Sequence, residues 1–372
     1  MGFEKLTAYL DGLKNYGIPG CDLVIMRDHE VIYRHFAGVR DESGTPMNGK
    51  ETYRLFSATK VQVSTAANQL ISAGKLSLDD PVSKYLPEYA DLTVMENGTV
   101  RPAKTVMTVG HLLTMTGGLD YDMPEGFSWK TNHASTREVA RLLAGKPLNF
   151  DPGTYFRYSY CLDVVGAVIE VASGEKLGDY MKNHIWEPVG ATNSSFRESE
   201  AQAAERISCY FYNDRDHTSR PVDDRNERAG QENFESGGGG LVSTVDDYIR
   251  VMDALACGGV AKTGNRILDE AGIERMRKPM LGEAQKRDFD RLGKIGYSYG
   301  LAVRTLVDKE IRKTGAPIGE FGWDGAAGVF TVIDPEHKLS MFYAQMVHGC
   351  GYAFNVVHYD VRDLMYEGLG IL

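Results

Sequence analysis

Residues 55–75, LFSATKVQVSTAANQLISAGK, constrain the fold more than any other stretch of the chain. Apolar or small residues recur at helical spacing, and Gly74 marks an end. A helix that is apolar around most of its circumference has to be buried, so the rest of the chain must build a core around it. Near the start of this helix stands Ser57, and Lys60 follows one turn later on the same face.

The Ser57–Lys60 pair is the beginning of an acyl-transfer site. An amine one turn from a hydroxyl can accept its proton if burial and neighbouring charge lower the amine's pKa. The amide groups at the helix start add positive potential where an oxyanion would form. Ser-x-x-Lys also occurs at 72–75 and 173–176, beside helix-ending glycines. The alternative is a helix-capping serine with a solvated lysine, so the spacing needs further residues to complete a site.

Size and charge exclude several classes of protein. A chain of 372 residues is long enough for two lobes. The net charge of −10 comes without a basic cluster, which argues against a nucleic-acid partner. Five scattered cysteines without a Cys-x-x-Cys pair favour free thiols in a reducing compartment. With no signal-peptide pattern and no run of 18 apolar residues, we expect a cytoplasmic protein without a membrane partner.

Helical and strand patterns are unevenly distributed along the chain. Residues 76–250 are mostly helical. The β-rich runs are residues 21–26, 30–37, 299–307, 328–333 and 339–347. We therefore predict that residues 1–77 and 237–372 form one α/β domain with a shared antiparallel sheet. Residues 78–236 would form a mainly helical domain with active-site loops. Within it, we expect the aromatic loop 120–134 and the polar surface stretch 197–236 to shape the pocket. The predicted fold class is α/β plus all-α, with the site at the junction.

Several motifs, in chain order, resemble those of the serine β-lactamase-like hydrolases. This group includes class C β-lactamases, DD-peptidases and, with the closest likeness, family VIII carboxylesterases. The likeness covers nearly the whole chain and rests on IPGCDLVIMRDHEVIYRHFAGV, RLFSATK, GKLSLDDPVSKYLPEY, TVGHLLTMTGGL, IWEPVGATNSSF and SGGGGLVSTVDDY. The resemblance implies the serine β-lactamase/DD-peptidase-like fold, Ser57 as nucleophile and Lys60 as its partner, with no metal or cofactor.

The family's second motif, Tyr-x-Asn, falls on Tyr158-Ser159-Tyr160. The resemblance makes Tyr158 the third catalytic residue, sharing the proton transfers with Lys60, because a nearby cation favours the phenolate. The order of their roles stays open, and the alternative for Tyr158 is a core aromatic. Tyr160 replaces an asparagine whose amide resembles the group that holds a β-lactam or peptide. We expect Tyr160 to contact substrate and the change to favour esters.

The family's third motif, Lys/His-Thr-Gly on a strand facing the site, has a literal match at Lys313-Thr314-Gly315. Pro317 follows at once, and proline interrupts an interior strand. If this segment lined the site, a D-amino-acid peptidase, an amidase or a β-lactamase would be favoured.

A better match to the third motif is Trp323-Asp324-Gly325, within GWDGAAGVFTVIDP. Its small residues permit a close backbone approach, and a β-rich run follows. It resembles the Trp-Gly-Gly element of family VIII esterases, with Asp324 in the middle position. We expect all three residues to contact substrate, and the amides of Ser57 and Ala326 to form the oxyanion hole. Without a lysine here, a penicillin-type carboxylate loses its usual cation.

A rival from another fold is the nucleophile elbow of α/β-hydrolases, which residues 296–300 match around Ser298. Asp334 and His348 or His358 follow in the right order. That elbow requires a strand, a turn and a helix, whereas a strand-like run follows here.

The sequence therefore predicts a serine hydrolase that forms an acyl-enzyme on Ser57. A carboxylesterase for small to medium esters is favoured. The alternatives are a D-amino-acid peptidase, amidase or β-lactamase, and a non-catalytic binding or sensor module on the same fold. The oligomeric state is left open.

Overall fold

A computed structural model describes residues 2–223 and 231–372. Residues 224–230, which belong to the polar surface stretch predicted over 197–236, lie outside the described part. The strands are β1 Gly20–Arg27, β2 Glu30–Gly38, β3 Thr52–Arg54, β4 Thr93–Glu96, β5 Thr99–Pro102, β6 Tyr210–Asn213, β7 Thr218–Pro221, β8 Val242–Thr244, β9 Tyr297–Tyr299, β10 Arg304–Leu306, β11 Phe321–Gly322, β12 Phe330–Asp334, β13 Leu339–Ala344 and β14 Val347–His348. The helices are α1 Glu4–Gly12, α2 Thr59–Ser72, α3 Val109–Leu113, α4 Thr136–Ala144, α5 Cys161–Ser173, α6 Leu177–Met181, α7 Glu187–Val189, α8 Glu200–Ala204, α9 Val245–Ala256, α10 Glu270–Arg277, α11 Glu283–Asp290, α12 Lys309–Arg312 and α13 His358–Gly368.

The central element is a seven-stranded antiparallel sheet in the order β2-β1-β13-β12-β11-β10-β9. Strand β1 pairs with β13, from Asp22 opposite Ala344 to Arg27 opposite Leu339. The two ends of the chain therefore meet inside one sheet. Helix α9 packs against β1, β12 and β13, while α13 packs against β13 and α1 against β2. The structure confirms the predicted fold class, α/β plus all-α, with an antiparallel sheet flanked by helices. Further helices lie in the part of the sequence between the N-terminal and C-terminal strands of that sheet. The domain boundaries remain a prediction.

Helix α2 lies inside the protein, as its apolar circumference predicts. Every residue from 59 to 68 is buried, and the helix packs against α5, α6 and α10. Several of its buried polar side chains are hydrogen-bonded inside the protein: Gln62 accepts from the Trp186 indole at 2.7 Å, and Ser64 donates to a backbone carbonyl at 2.6 Å. The helix starts later than predicted, because residues 56–58 form a separate 3-10 turn. Ala58 precedes the first helical residue and no side chain caps the helix, so the capping role for Ser57 is wrong.

The β-rich run predicted over 299–307 is divided in two. Strands β9 and β10 pair with each other across a turn at residues 300–303. A side chain at Gly300 would lie 2.2 Å from the Met276 carbonyl, and Ala302 has a left-handed backbone with φ of 61°. The close packing of α10 on this corner therefore forces a turn that the strand-like composition conceals. Within the described residues, no helix has both the length and the apolar character needed to cross a membrane.

Candidate active site

The turn before α2 presents Ser57 in an unusual backbone setting. Phe56 has a φ of 48°, a left-handed conformation that costs a bulky residue about 1–3 kcal/mol. Its buried ring meets the His348 ring edge-on at 4.8 Å, which holds the turn in place. Such strain, directly before a serine, is typical of a functional site. Ser57 itself is partly exposed and lines a cavity of about 230 Å³.

Lys60 is completely buried and directed at that serine. Its Nζ lies 3.0 Å from the Ser57 Oγ. It also donates to the Tyr121 hydroxyl at 3.3 Å and to the Gly238 carbonyl. The Tyr158 ring centroid is 4.6 Å from the same Nζ. The structure thus brings together the serine, the lysine and the tyrosine that the sequence singled out, and adds Tyr121.

The glycine run after residue 236 explains how Lys60 is positioned. The buried Asp163 carboxylate, on α5, accepts a hydrogen bond from the Gly238 amide at 3.2 Å and another from the Ser236 hydroxyl. A Cβ at Gly238 would lie 2.3 Å from that carboxylate, so a residue with a side chain would disturb the contact. Asp163 thereby fixes the peptide whose carbonyl accepts from Lys60.

Tyr158 connects the nucleophile to the third motif. Its hydroxyl accepts from the Trp323 indole at 2.8 Å, and Tyr158 lines the same cavity as Ser57. Burial raises the pKa of Tyr158 well above its usual value, with the neighbouring Tyr121 adding to the effect. Burial therefore outweighs the influence of Lys60 that was expected to favour the phenolate, and the resting site holds a phenol. Because an indole can only donate, the phenol hydrogen is free to point at Ser57.

The segment 323–326 follows β11 and forms the opposite wall of the cavity. Trp323, Asp324, Gly325 and Ala326 all line it together with Ser57. A Cβ at Gly325 would lie 2.3 Å from the carbonyl oxygen of residue 55. This close backbone approach brings Ala326 beside the nucleophile turn, where two amide donors of an oxyanion hole would have to converge.

The literal Lys313-Thr314-Gly315 match is elsewhere. Lys313 ends the short α12 with a φ of 56°, and Thr314 donates to Asp363 at 2.8 Å. The segment is a loop rather than a strand facing the site, and none of its three residues lines the cavity.

The elbow around Ser298 is also absent. Ser298 lies in β9, and a turn and β10 follow it instead of a helix. His358, one of its proposed partners, donates from its Nε2 to the Gly328 carbonyl at 3.0 Å. The chain therefore has the strand–turn–strand geometry of a sheet edge at this position.

A buried lysine that the motifs did not reveal lines the same cavity. Lys294, between α11 and β9, forms an ion pair with Asp324, and both side chains are less than a tenth exposed. Burial raises the pKa of Asp324, but the Lys294 ammonium outweighs it and holds that pKa below its usual value. The third motif itself has no lysine, but a distant segment supplies a cation beside the same cavity, and Asp324 neutralises it.

Tyr160 does not reach the cavity. It is buried at the start of α5, and its ring meets the Tyr121 ring at 5.0 Å. Tyr121 lies between Tyr160 and Lys60 and takes the position closer to the chemistry. The aromatic loop 120–134 was expected to shape the pocket, but nothing in its sequence pattern distinguished Tyr121 from its neighbours.

One group of possible metal ligands lies apart from these residues. In the described part of the chain, donor atoms of Asp28, His29 and Cys257 come within 4.8 Å of one another. Asp28 is paired with Lys338 at 2.9 Å, and the His29 ring is bonded to the Asp253 carboxylate at 2.8 Å. These contacts explain the cluster as part of the hairpin's packing.

Known proteins resemble this chain along nearly its whole length. The model of the family described as Beta-lactamase matches residues 6–347. Esterase EstB of Burkholderia gladioli is 28% identical over 370 residues, which are 91% of this chain and 88% of EstB. Monacolin J acid methylbutanoyltransferase of Aspergillus terreus is 29% identical, covering 90% of this chain and 87% of its own. The structure of EstCE1, described as a hydrolase with promiscuous acyltransferase activity, aligns with a TM-score of 0.81 and 25% identity over 98% of both chains.

Proposed function

The chain belongs to the β-lactamase family, and from that membership we propose that it is a carboxylesterase that forms an acyl-enzyme on Ser57. The observation that carries this proposal is the position of the Ser57 hydroxyl, 3.0 Å from the Lys60 Nζ and in the wall of a cavity that Tyr158 also lines. A hydroxyl with a base and an acid within hydrogen-bond reach is the arrangement that nucleophilic catalysis requires.

In the proposed reaction, Ser57 attacks the ester carbonyl while Lys60 accepts its proton. The amides of Ser57 and Ala326 stabilise the oxyanion, and one such donor typically contributes about 3–4 kcal/mol. Tyr158 is a phenol in the resting site, which suits it to protonate the departing alkoxide. The proton on Lys60 then restores Tyr158. Water releases the acyl group by the same steps in reverse.

Esters are favoured over β-lactams by the charge and the size of the cavity. The cation beside it, Lys294, is already held by Asp324. A β-lactam carboxylate would have to compete with the Asp324 carboxylate for Lys294. The Lys294–Asp324 pair therefore offers such a substrate no net electrostatic attraction. The volume of about 230 Å³ also suits a small acyl or alkoxy group better than a bicyclic antibiotic with its side chain.

The test is a substrate panel run with wild type and Ser57→Ala. It contains p-nitrophenyl acetate and butyrate, a chromogenic cephalosporin and a peptide ending in D-Ala-D-Ala. We expect turnover of the two esters that Ser57→Ala abolishes, and covalent labelling of Ser57 by a fluorophosphonate probe. Ester turnover that survives Ser57→Ala would contradict the assignment of the nucleophile. Inactivity on every substrate together with no labelling would favour a binding or sensor module.

Transfer of the acyl group to an alcohol is a second candidate. It is supported by the similarity to a methylbutanoyltransferase and to EstCE1, a hydrolase with promiscuous acyltransferase activity. Transfer and hydrolysis share the acyl-enzyme and differ only in what attacks it. Adding a primary alcohol to the ester assay separates them: transfer yields a new ester, and hydrolysis alone leaves only the free acid.

A further inference from the structure

We propose that Asp324 determines the charge of the substrates that enter this site, because its ion pair with Lys294 cancels the cavity's cation and restricts the site to uncharged acyl and alkoxy groups. The inference rests on the proposed esterase function and names its substrate class. Its basis is the Lys294–Asp324 pair, both members of which line the cavity beside Ser57 and Tyr158.

Lys294 is held as a permanent part of the wall. Three aromatic rings surround its ammonium: Trp323 at 5.9 Å, Phe354 at 5.9 Å and Tyr359 at 6.0 Å. Ring faces attract a cation, and the side chain is only 7% exposed. The lysine therefore cannot extend into solvent, and its charge acts on whatever occupies the cavity.

Asp324 depends on Lys294 for its countercharge. His358 is also close, with its Nδ1 4.0 Å from the carboxylate, but burial lowers the pKa of His358 to about 3 and leaves the imidazole neutral at physiological pH. The buried Arg304 contributes at longer range and lies 3.8 Å from Glu320. The Lys294–Asp324 pair is thus close to neutral as a unit.

This neutrality has a direct consequence for recognition. A carboxylate entering the cavity would be attracted by Lys294 and repelled by Asp324, and it would lose its hydration without compensation. An uncharged group avoids that cost. Removing the negative member of the pair while keeping the cation should therefore convert the same cavity into one that attracts anions.

The experiment uses two esters that differ only in charge: the acetates of 4-hydroxybenzoic acid and of 4-hydroxybenzamide. Each kcat/KM is divided by the rate constant of the same ester with hydroxide, which removes differences in leaving-group reactivity. The normalised ratio of charged to uncharged ester is compared between wild type, Asp324→Asn and the double variant Asp324→Asn/Lys294→Met. Asp22→Asn is the control, because Asp22 is a buried carboxylate paired with Arg34 in the sheet.

We expect wild type to prefer the uncharged ester by about tenfold or more, and Asp324→Asn to raise the normalised ratio by a similar factor. The double variant should lose that gain, since it lacks the cation, and Asp22→Asn should keep the wild-type ratio. A structural role for the pair would lower both rates together and leave the ratio unchanged.

An unchanged ratio in folded Asp324→Asn would overturn the inference while leaving the esterase proposal intact. If Asp324→Asn does not fold, wild type decides: equal normalised rates for the two esters contradict the inference, and a preference for the uncharged ester supports it. If the protein hydrolysed neither ester, or if hydrolysis did not require Ser57, the proposed function itself would be contradicted.

Discussion

Two buried lysines stand beside the same cavity, and they differ in what surrounds them. Lys60 contacts oxygens that carry no charge, those of Ser57, Tyr121 and Gly238. Lys294 contacts the carboxylate of Asp324 within a ring of aromatic side chains. The two side chains are chemically identical, so the difference between them comes from their partners.

The partners determine what each lysine can do. A hydroxyl group can donate its hydrogen to a neutral amine or accept a hydrogen bond from an ammonium. Contacts with hydroxyl groups therefore suit both protonation states of a lysine. A buried carboxylate tolerates only the ammonium, because loss of the proton would leave its own charge uncompensated. Lys60 is thus suited to exchange a proton with Ser57, whereas Lys294 supplies a fixed charge that Asp324 balances.

The sharpest test of this comparison replaces each lysine by methionine, which keeps the length of the side chain. We expect Lys60→Met to lower kcat/KM for p-nitrophenyl acetate by about 10³-fold, because the proton acceptor of the acylation step is lost. Lys294→Met should lower it by less than about tenfold, since an uncharged ester does not use that cation. Thermal melting monitors folding, and equal losses in the two variants would break the comparison.

Trp323 contacts groups near both lysines. Its replacement has the next largest expected effect on kcat/KM. Its indole donates to Tyr158 at 2.8 Å, and its ring lies 5.9 Å from Lys294. Trp323→Ala should therefore lower kcat/KM by about 10²-fold, the effect of one lost active-site donor. Trp323→Phe keeps most of the packing and tests the donor alone.

Lys313→Ala serves as the matched control for the third motif. Lys313 belongs to the loop after α12, so its replacement should leave ester turnover close to wild type. A greater loss in Lys313→Ala than in Trp323→Ala would mean that the third motif has been placed on the wrong segment.

The difference between the two lysines also separates what sequence can predict from what it cannot. The Ser57–Lys60 relation is local: one helical turn puts both residues on one face, and the apolar pattern around them predicts burial. The small residues at 325–328 likewise predict a close backbone approach, which Gly325 makes. Patterns of this kind are readable because neighbours in sequence create them.

Lys294 has no such local signal. It stands in the polar stretch LGEAQKRDFDRLGKIG, where a lysine is expected to be solvated. Its burial comes from Trp323, Phe354 and Tyr359, which meet only after the sheet and the last helix have assembled. The same limit applies to the turn at 300–303, which depends on packing against α10.

A pH titration of stability tests whether Lys294 rather than His358 balances Asp324. Burial lowers the pKa of His358 to about 3, below the ordinary 6.5. Between these values the unfolded chain binds a proton that the folded chain does not, so the free energy of unfolding falls as pH decreases from 6.5 to 3. His358→Gln should remove up to one proton from this dependence, about 1.4 kcal/mol per pH unit.

The measurement is urea unfolding at several pH values from 4 to 7 in wild type, His358→Gln and His133→Gln. His133, whose side chain is 76% exposed, provides the control for replacing a histidine by glutamine at the surface. A wild-type slope that His358→Gln leaves unchanged would mean that His358 is charged in the folded protein. Asp324 would then have two cationic partners, and the contrast between the lysines would weaken.

The smallest expected effect concerns the Tyr121 hydroxyl, one of the uncharged groups that Lys60 contacts. Tyr121→Phe removes one hydroxyl that accepts from Lys60 at 3.3 Å while the ring keeps its contacts with Tyr158 and Tyr160. A net hydrogen bond of about 0.5–1.5 kcal/mol corresponds to about a twofold to twelvefold decrease in kcat, with KM unchanged. Tyr155→Phe, at an exposed ring, controls for loss of a hydroxyl. If Tyr121→Phe lost as much activity as Lys60→Met, Tyr121 would have to belong to the path of proton transfer. Its hydroxyl would then react as well as position Lys60.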